Sequence, residues 1–348
     1  MRILVPHPSW AAFLLSKQSG KTMPMKVTQG RSVGRSRGGI FFPGLMFRPG
    51  HAGSLPFLGG GRFARRFKPA KVYGRIGSLE VRLARKKSEI RRAQRLRYKV
   101  FYEEMAATPG ALALLSRRDE DAYDQVFDHL LVIDHGDDAN GRRWRRPQVV
   151  GTYRVLRQDV ANLYDGFYTQ GEYDMTPLLR SKPDYGFLEL GRSCVLKPYR
   201  NRRTLELLWQ GVWSYLREHG MDVMIGCASF AGTDPKAHAL ALSFLHHHKL
   251  APEEWRVRAH EHLHVDMNLM PKEAIDIRAA LKALPPLIKG YLRVGAYVGD
   301  GAVIDHQFGT TDVFVIMPVE EINTRYFDHF GSPDEFNAPI AGEFGPLN

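Results

Sequence analysis

Residues 187–216, FLELGRSCVLKPYRNRRTLELLWQGVWSYL, decide the fold of this chain. The apolar run at its start predicts a strand, and apolar residues at helical spacing from Leu205 to Leu216 predict an amphipathic helix. Between them lies a basic loop, residues 197–204, which brings four cations to the start of the helix. A helix N-terminus already presents unpaired N–H groups and the positive end of the dipole. The loop therefore predicts a seat for an anion such as a phosphate.

Composition bounds the class of protein. The chain has 348 residues and a hydrophobic fraction of 44%, which is enough to bury a sizeable core. It contains two cysteines, Cys194 and Cys227, so a disulfide framework is excluded and a reducing cytoplasm is favoured. The sequence has no apolar run approaching the roughly 20 residues that span a bilayer.

The positive charge of the chain is concentrated at its N-terminus. The net charge is +12, yet residues 1–78 hold fourteen Lys and Arg and no acid, which leaves 35 cations against 37 acids afterwards. We predict that residues 1–75 form a disordered basic arm. Its role stays open between a tether to anionic lipid, a transit peptide, translated sequence upstream of the true start, and an arm with no specific task. Nucleic-acid binding is not expected, because no recognition motif accompanies the arm.

The rest of the chain predicts an α/β fold. Strands are predicted at 79–84, 129–133, 149–156, 223–228, 256–268 and 313–317, besides the strand that begins at Phe187. Helices are predicted after Ser88, after the basic loop and after Asp234, and residues 299–309 are predicted to form a loop. This order predicts a three-layer domain, residues 76–331, with a central mixed sheet flanked by helices and a tail at 332–348.

Two ionisable residues, Glu189 and Arg192, interrupt the apolar strand. A buried charge is costly unless it has a partner or a task, so both are candidates for function or for a structural ion pair.

Histidines at 246–248 and at 260, 262 and 264 resemble metal ligands in composition only. Consecutive histidines diverge on a helix, so we expect no metal site.

Several stretches together resemble one family. They are SLEVRLARKKSEIRRAQRLRYKVFYEEM (78–105), FDHLLVID (127–134), FLELGRSCVLKPYR (187–200), AHALALSFLHHHKLAP (237–252) and the stretch 284–331. They resemble the L-ornithine Nα-acyltransferases of bacterial ornithine-lipid synthesis, hemolysin-like relatives on the GNAT acyltransferase fold. The resemblance covers residues 74–331. Where GNAT enzymes carry R/Q-x-x-G-x-G/A, residues 200–205 match the first position, and Arg203 and Leu205 replace both glycines.

The resemblance implies the reaction and its partners. Such enzymes move a 3-hydroxyacyl chain from acyl carrier protein to the α-amine of ornithine, with no permanently bound cofactor. The donor would be acyl-phosphopantetheine on the carrier, since the replaced glycines suit one phosphate better than the pyrophosphate of coenzyme A. A cytoplasmic location follows, with peripheral association at the inner face of an anionic membrane as an added expectation, because the product is a single-chain lipid.

It also implies roles for particular residues. Glu189 is the candidate general base. A bulge at Gly191 would turn the N–H of Cys194 or Val195 toward the thioester oxygen. The phosphopantetheine phosphate and the acidic carrier would bind Arg192, Lys197, Arg200, Arg202 and Arg203. The distal ammonium of the acceptor would bind among Asp300, Asp305 and Asp312.

Two alternatives remain. The same chemistry could act on another amine (lysine or glutamine) or use an acyl-coenzyme A donor. The protein could instead bind lipid at a membrane surface, with the arm as its working part.

Overall fold

The computed structural model describes residues 71–105, 107–136 and 147–322; residues 1–70 of the predicted arm and the predicted tail lie outside them. The strands are β1 (Val72–Ile76), β2 (Leu79–Leu83), β3 (Asp128–Asp134), β4 (Gln148–Arg157), β5 (Tyr173–Asp174), β6 (Phe187–Val195), β7 (Val223–Ala231), β8 (Arg258–Ala259), β9 (Tyr297–Asp305) and β10 (Thr310–Pro318). The α-helices are α1 (Lys87–Tyr98), α2 (Ala111–Ser116), α3 (Gln158–Ala161), α4 (Thr176–Ser181), α5 (Arg202–Glu218), α6 (Ala239–Lys249), α7 (Ile277–Ala283) and α8 (Pro286–Val294).

The strands form one sheet in the order β1-β2-β3-β4-β6-β7-β10-β9-β8-β5. Most neighbouring strands are antiparallel, whereas two pairs, β6 with β7 and β8 with β9, are parallel. Strands β6 and β7 are connected through α5. A parallel pair needs such a crossover, because its strands begin at the same edge of the sheet. The predicted mixed sheet flanked by helices is therefore confirmed.

Helix α5 sets the position of the basic loop. Asn201 caps its N-terminus by accepting a hydrogen bond from the N–H of Thr204 at 3.2 Å. Gly211 allows a close approach to the sheet, since a Cβ at this position would lie 2.7 Å from a methyl group of Val81. Leu208, Val212 and Leu216 are buried, as the helical spacing predicts. The helix is thus fixed on the sheet with its N-terminus just beyond the end of β6.

Two predicted segments differ from the structure. Residues 256–268, predicted as a strand, contain only the short strand β8 and an isolated bridge from Val265 to Ala302. The predicted loop 299–309 is instead mostly β9, whose ladder with β10 shifts register between Val313 and Val315. A glycine inside a strand often marks such a bulge, and Gly301, with φ +86°, does so here.

The described part of the chain begins with a strand. Strand β1 begins at Val72, within the last residues of the predicted arm. Among the described residues, no helix is both long enough and apolar enough to cross a bilayer.

Candidate active site

Strands β6 and β7 separate partway along their length. They pair only from Phe187 with Val223 to Glu189 with Ile225, although both strands continue well beyond these positions. Gly226 follows the last paired residue and is the last point at which the two strands are close. A Cβ there would lie 2.4 Å from the carbonyl oxygen of Leu190. Beyond this contact the inner edges of the two strands diverge and leave a gap, which we call the wedge.

A pocket lies at the wedge. Its lining residues are Leu190, Met224, Ile225, Gly226, Cys227, Tyr291, Val315 and Met317. These side chains are mostly apolar, and the cavity has a volume of about 10 Å³, which is room for about one water molecule. The hydroxyl of Tyr291 is already hydrogen-bonded to the hydroxyl of Tyr153, at 2.8 Å in a buried pair.

A bulge interrupts β6 next to the wedge. The pairing of β6 with β4 shifts register between Thr152 and Arg154, so that two residues, Arg192 and Ser193, oppose Tyr153. Arg192 has φ +49°, a conformation that non-glycine residues seldom adopt. The bulge therefore follows Gly191 rather than being centred on it.

The direction of the backbone distinguishes the two candidate oxyanion donors. The N–H of Leu196 donates to the carbonyl of Val150 on β4 at 2.9 Å. Since successive N–H groups of a strand point to opposite sides, the N–H of Val195 points away from β4, toward the wedge, whereas that of Cys194 points toward β4. Val195 is therefore the better placed donor. Burial raises the pKa of the Cys194 thiol, so this residue is poorly suited to act as a nucleophile.

The cations of the basic loop have two different environments. Arg200 donates through Nε to the carbonyl of Val195 at 2.8 Å and contacts Glu104 through Nη2, so it braces the loop. Lys197, Arg202 and Arg203 are exposed, and Arg202 pairs with Glu206 one turn along α5. The first turn of α5 contains no acid, so these cations and the helix dipole together favour a bound anion.

Arg192 does not lie with these cations. Its side chain is buried between the rings of Tyr168 and Phe308, with Cζ 5.3 and 4.4 Å from their centroids. It pairs with Asp119 and Asp121 at 3.4 Å. Its Nη1 is buried and has no hydrogen-bond partner in the described part of the chain. The expectation that Arg192 binds the donor phosphate therefore does not fit its position, because two aromatic rings and two aspartates enclose the side chain.

Glu189 holds a turn in place. Its buried carboxylate accepts hydrogen bonds from the N–H groups of Tyr168 and Thr169, both at 2.8 Å, and from the hydroxyl of Thr169. Burial raises its pKa, and the hydrogen bonds from Thr169 and Tyr168 oppose this effect. Both carboxylate oxygens are thus engaged with the 3₁₀ turn Tyr168–Gly171. The base role stays a prediction for Glu189, but its geometry is that of a positioning residue.

That turn leads directly to Glu172, which belongs to a group of three acids. Carboxylate oxygens of Glu172, Asp305 and Asp312 lie within 4.8 Å of one another. Burial, followed by the charge of Asp312, raises the pKa of Glu172 to about 7. Cys227, which lines the wedge pocket, donates from Sγ to Glu172 at 3.4 Å. The acid pocket, as we call these three carboxylates, therefore adjoins the wedge.

The acid pocket contains two of the three predicted acceptor residues. Asp300 lies apart from it, near Arg258 at 3.9 Å and His264 at 3.8 Å. The three carboxylates could hold an ammonium group or a metal ion, since both are cations that oxygen ligands bind. Within the described residues, the histidines at 246–248 and 260–264 form no comparable group of three ligands.

Glu172 was not selected from the sequence. It lies in a segment of turns, QGEYD (170–174), that carries no recognisable motif. The sequence offers only an indirect signal for Glu172. A buried Glu189 needs hydrogen-bond donors, and the polar turn before Glu172 can supply them. That pairing bridges residues 20 and 21 positions apart, which local patterns do not reveal.

Comparison with known proteins places the chain in a family. Residues 96–210 match the family model described as an acetyltransferase (GNAT) domain. An L-ornithine N(alpha)-acyltransferase of Brucella abortus (strain 2308) is 53% identical over 263 residues, which is 76% of this chain and 92% of that relative. The enzyme of the same name from Rhodobacter capsulatus is 42% identical and is covered to 95%, over 73% of this chain.

Among solved structures, FeeM, an N-acyl amino acid synthase from uncultured soil microbes, superposes with a TM-score of 0.40 at 9% identity, over 72% of this chain and 96% of that chain. The extent and identity of the sequence matches are decisive. The chain belongs to the family of L-ornithine N(alpha)-acyltransferases, built on a GNAT acetyltransferase domain.

Proposed function

We propose that the protein transfers a 3-hydroxyacyl chain from the phosphopantetheine thioester of acyl carrier protein to the α-amine of L-ornithine, giving a lyso-ornithine lipid. One observation carries this proposal: Cys227, which lines the wedge pocket, donates to Glu172 of the acid pocket, and β6, the other strand of the wedge, leads into the exposed cationic start of α5. A donor with a phosphate and an acceptor with two amines match these opposite charges. The names of the relatives support acyl transfer to the α-amine of ornithine.

The donor arm would enter from the basic loop. Its phosphate binds Lys197, Arg202 and Arg203 at the start of α5, while Arg200 keeps the loop in place. The side chains of Arg203 and Leu205 stand where the GNAT pattern has glycines, so a backbone cradle for a pyrophosphate is disfavoured. The same exposed cations suit the acidic surface of a carrier protein.

The acyl chain would enter at the wedge, and the small pocket there, which has room for about one water molecule, must widen to receive it. Its apolar walls, such as Leu190, Val315 and Met317, bury hydrocarbon, and burial contributes about 0.8 kcal/mol per methylene group. The thioester carbonyl would then lie at the bulge, where the N–H of Val195 stabilises the developing oxyanion.

The acceptor would bind at the acid pocket. Asp305 and Asp312 hold the distal ammonium of ornithine. The α-amine then points to Glu172. A carboxylate with a pKa of about 7 can accept a proton from the ammonium near neutral pH.

The reaction follows from these positions. Glu172 removes a proton from the α-ammonium, and the neutral amine attacks the thioester carbonyl to form a C–N bond. The tetrahedral intermediate collapses, the C–S bond breaks, and the thiolate of phosphopantetheine leaves and takes up the second proton, which the attacking nitrogen loses as the amide forms. Glu189 acts through the Tyr168–Gly171 turn that carries Glu172.

Donor and acceptor identity are tested by a product assay with purified protein. The panel contains 3-hydroxyacyl carrier protein and acyl-coenzyme A as donors, and ornithine, lysine and glutamine as acceptors. We expect acyl-ornithine from the carrier donor. Product only from coenzyme A would overturn the interpretation of the loop, and no product from any pair would favour the lipid-binding alternative.

Localisation follows from the same partners. Because acyl carrier protein is a cytoplasmic donor, we propose that the enzyme works in the cytoplasm and releases its lipid product at the inner face of the membrane. Fractionation of cells that express the full chain, with and without a high-salt wash, tests this placement.

A further inference from the structure

Helix α2 exposes an unusual group of leucines. Leu112 and Leu115 are 83% and 85% exposed, and Leu114 is 56% exposed. The helix has six residues, and none of them is buried. Scattered exposed apolar residues are normal, but three on one short helix form a contiguous apolar feature. We call these three side chains the leucine tip.

The leucine tip is connected to the proposed acceptor side. The segment before α2 is tied to the loop between β9 and β10, because the N–H of Thr108 donates to the carbonyl of Gln307 at 2.8 Å. The next residue in that loop, Phe308, packs against Arg192 with its ring centroid 4.4 Å from Cζ. Asp305 of the acid pocket begins the same loop. The leucine tip and the proposed acceptor site are therefore held by one short loop.

We propose that the leucine tip inserts into the surface of a lipid bilayer and holds the active site next to the membrane that receives the product. This inference rests on the proposed function, because an acylated amino acid with one long chain partitions into lipid. A docked protein partner would be a poorer fit. A specific protein interface buries about 800 Å² on each partner, more than three leucines offer.

The size of the leucine tip suits reversible attachment. Moving one exposed leucine from water into hydrocarbon favours the bound state by about tenfold in the partition coefficient. Three such residues support peripheral binding, and the protein can still exchange between membrane and carrier protein.

Vesicle sedimentation of the full chain tests the inference. Phosphatidylcholine vesicles at physiological salt are used, so that electrostatic attraction of the basic arm is screened to within about 8 Å. We expect the variant Leu112→Ser/Leu115→Ser to lose about 100-fold in partition coefficient. The matched control is Ile277→Ser/Leu281→Ser on α7, where the side chains are 48% and 42% exposed, and it should bind like the wild type.

A second readout separates this inference from the proposed function. Acyl transfer without vesicles, from a carrier protein loaded with a short chain, should be unchanged in the leucine variant. The inference is overturned if the wild type fails to sediment with the vesicles, or if the leucine and control variants bind equally well. Loss of vesicle-free transfer, or of affinity for the carrier protein, would instead make the leucine tip a lid or a carrier contact and would also overturn it.

Discussion

The substitution Glu172→Gln removes one negative charge from the acid pocket and keeps the size of the side chain. If Glu172 is the base, the variant cannot take a proton from the α-ammonium, and general-base catalysis contributes about 100-fold or more. We therefore expect turnover to fall by at least about 100-fold. In the wild type, kcat/KM should rise as pH increases through about 7, where Glu172 loses its proton.

The same substitution, although it lowers turnover, should stabilise the folded protein at high pH. The folded pKa of Glu172, about 7, lies above its usual value of 4.5. The stability that its protonated form contributes is therefore complete below pH 4.5 and is lost as pH rises through 7. The difference between the two pKa values, 4.5 and about 7, corresponds to about 3 kcal/mol of unfolding free energy. Solvent at the half-buried side chain reduces this contribution. Above pH 7, glutamine should thus stabilise the protein by about 1–3 kcal/mol in urea unfolding.

Glu189→Gln is the matched control for this prediction. Glutamine cannot accept all three hydrogen bonds that hold the Tyr168–Gly171 turn, so we expect a loss of about 1–3 kcal/mol in stability and a smaller loss of turnover. The reasoning is refuted if Glu172→Gln retains wild-type turnover. It is refuted equally if Glu189→Gln is inactive while its unfolding free energy is unchanged, since Glu189 would then be the base.

Three further substitutions test other parts of the site. Gly226→Ala places a Cβ against the carbonyl oxygen of Leu190, so thermal unfolding should show a clear loss of stability, on the order of 1–3 kcal/mol, and an unchanged melting temperature would contradict the proposed close contact. Arg203→Glu should raise KM for the carrier donor by about tenfold at low salt and less at high salt, whereas an effect on KM for ornithine instead would contradict the loop assignment. Asp305→Asn should raise KM for ornithine by about tenfold or more, while the control Asp300→Asn should not; equal effects of the two would remove the acid pocket from acceptor binding.

Most of the fold could be predicted because its signals are local. The helix from Arg202 follows from apolar spacing and from Asn201 at its N-cap, and the order of strands and helices predicts the mixed sheet. Residues 256–268 were mispredicted because alternation also arises where an irregular segment packs against a sheet. Strand β9 was missed because Gly299 and Gly301 resemble loop residues, whereas Gly301 lies within the irregular part of the strand.

The site was less predictable because it is assembled across the sheet. The sequence shows that Arg192 is charged, but not that its side chain lies between Tyr168 and Phe308. It likewise cannot show that Glu189 is occupied by a turn 20 residues earlier. Glu172 acquires its raised pKa only through burial beside Asp312, a neighbour that is distant in sequence.

The position of the new bond tests the central claim most directly. Ornithine has two amines, and the acid pocket is proposed to hold the distal one as an ammonium while Glu172 activates the other. Tandem mass spectrometry of the product made from 3-hydroxyacyl carrier protein and ornithine distinguishes the two acylated isomers. We expect acylation at the α-amine alone, whereas acylation at the distal amine would contradict the proposed orientation of the acceptor.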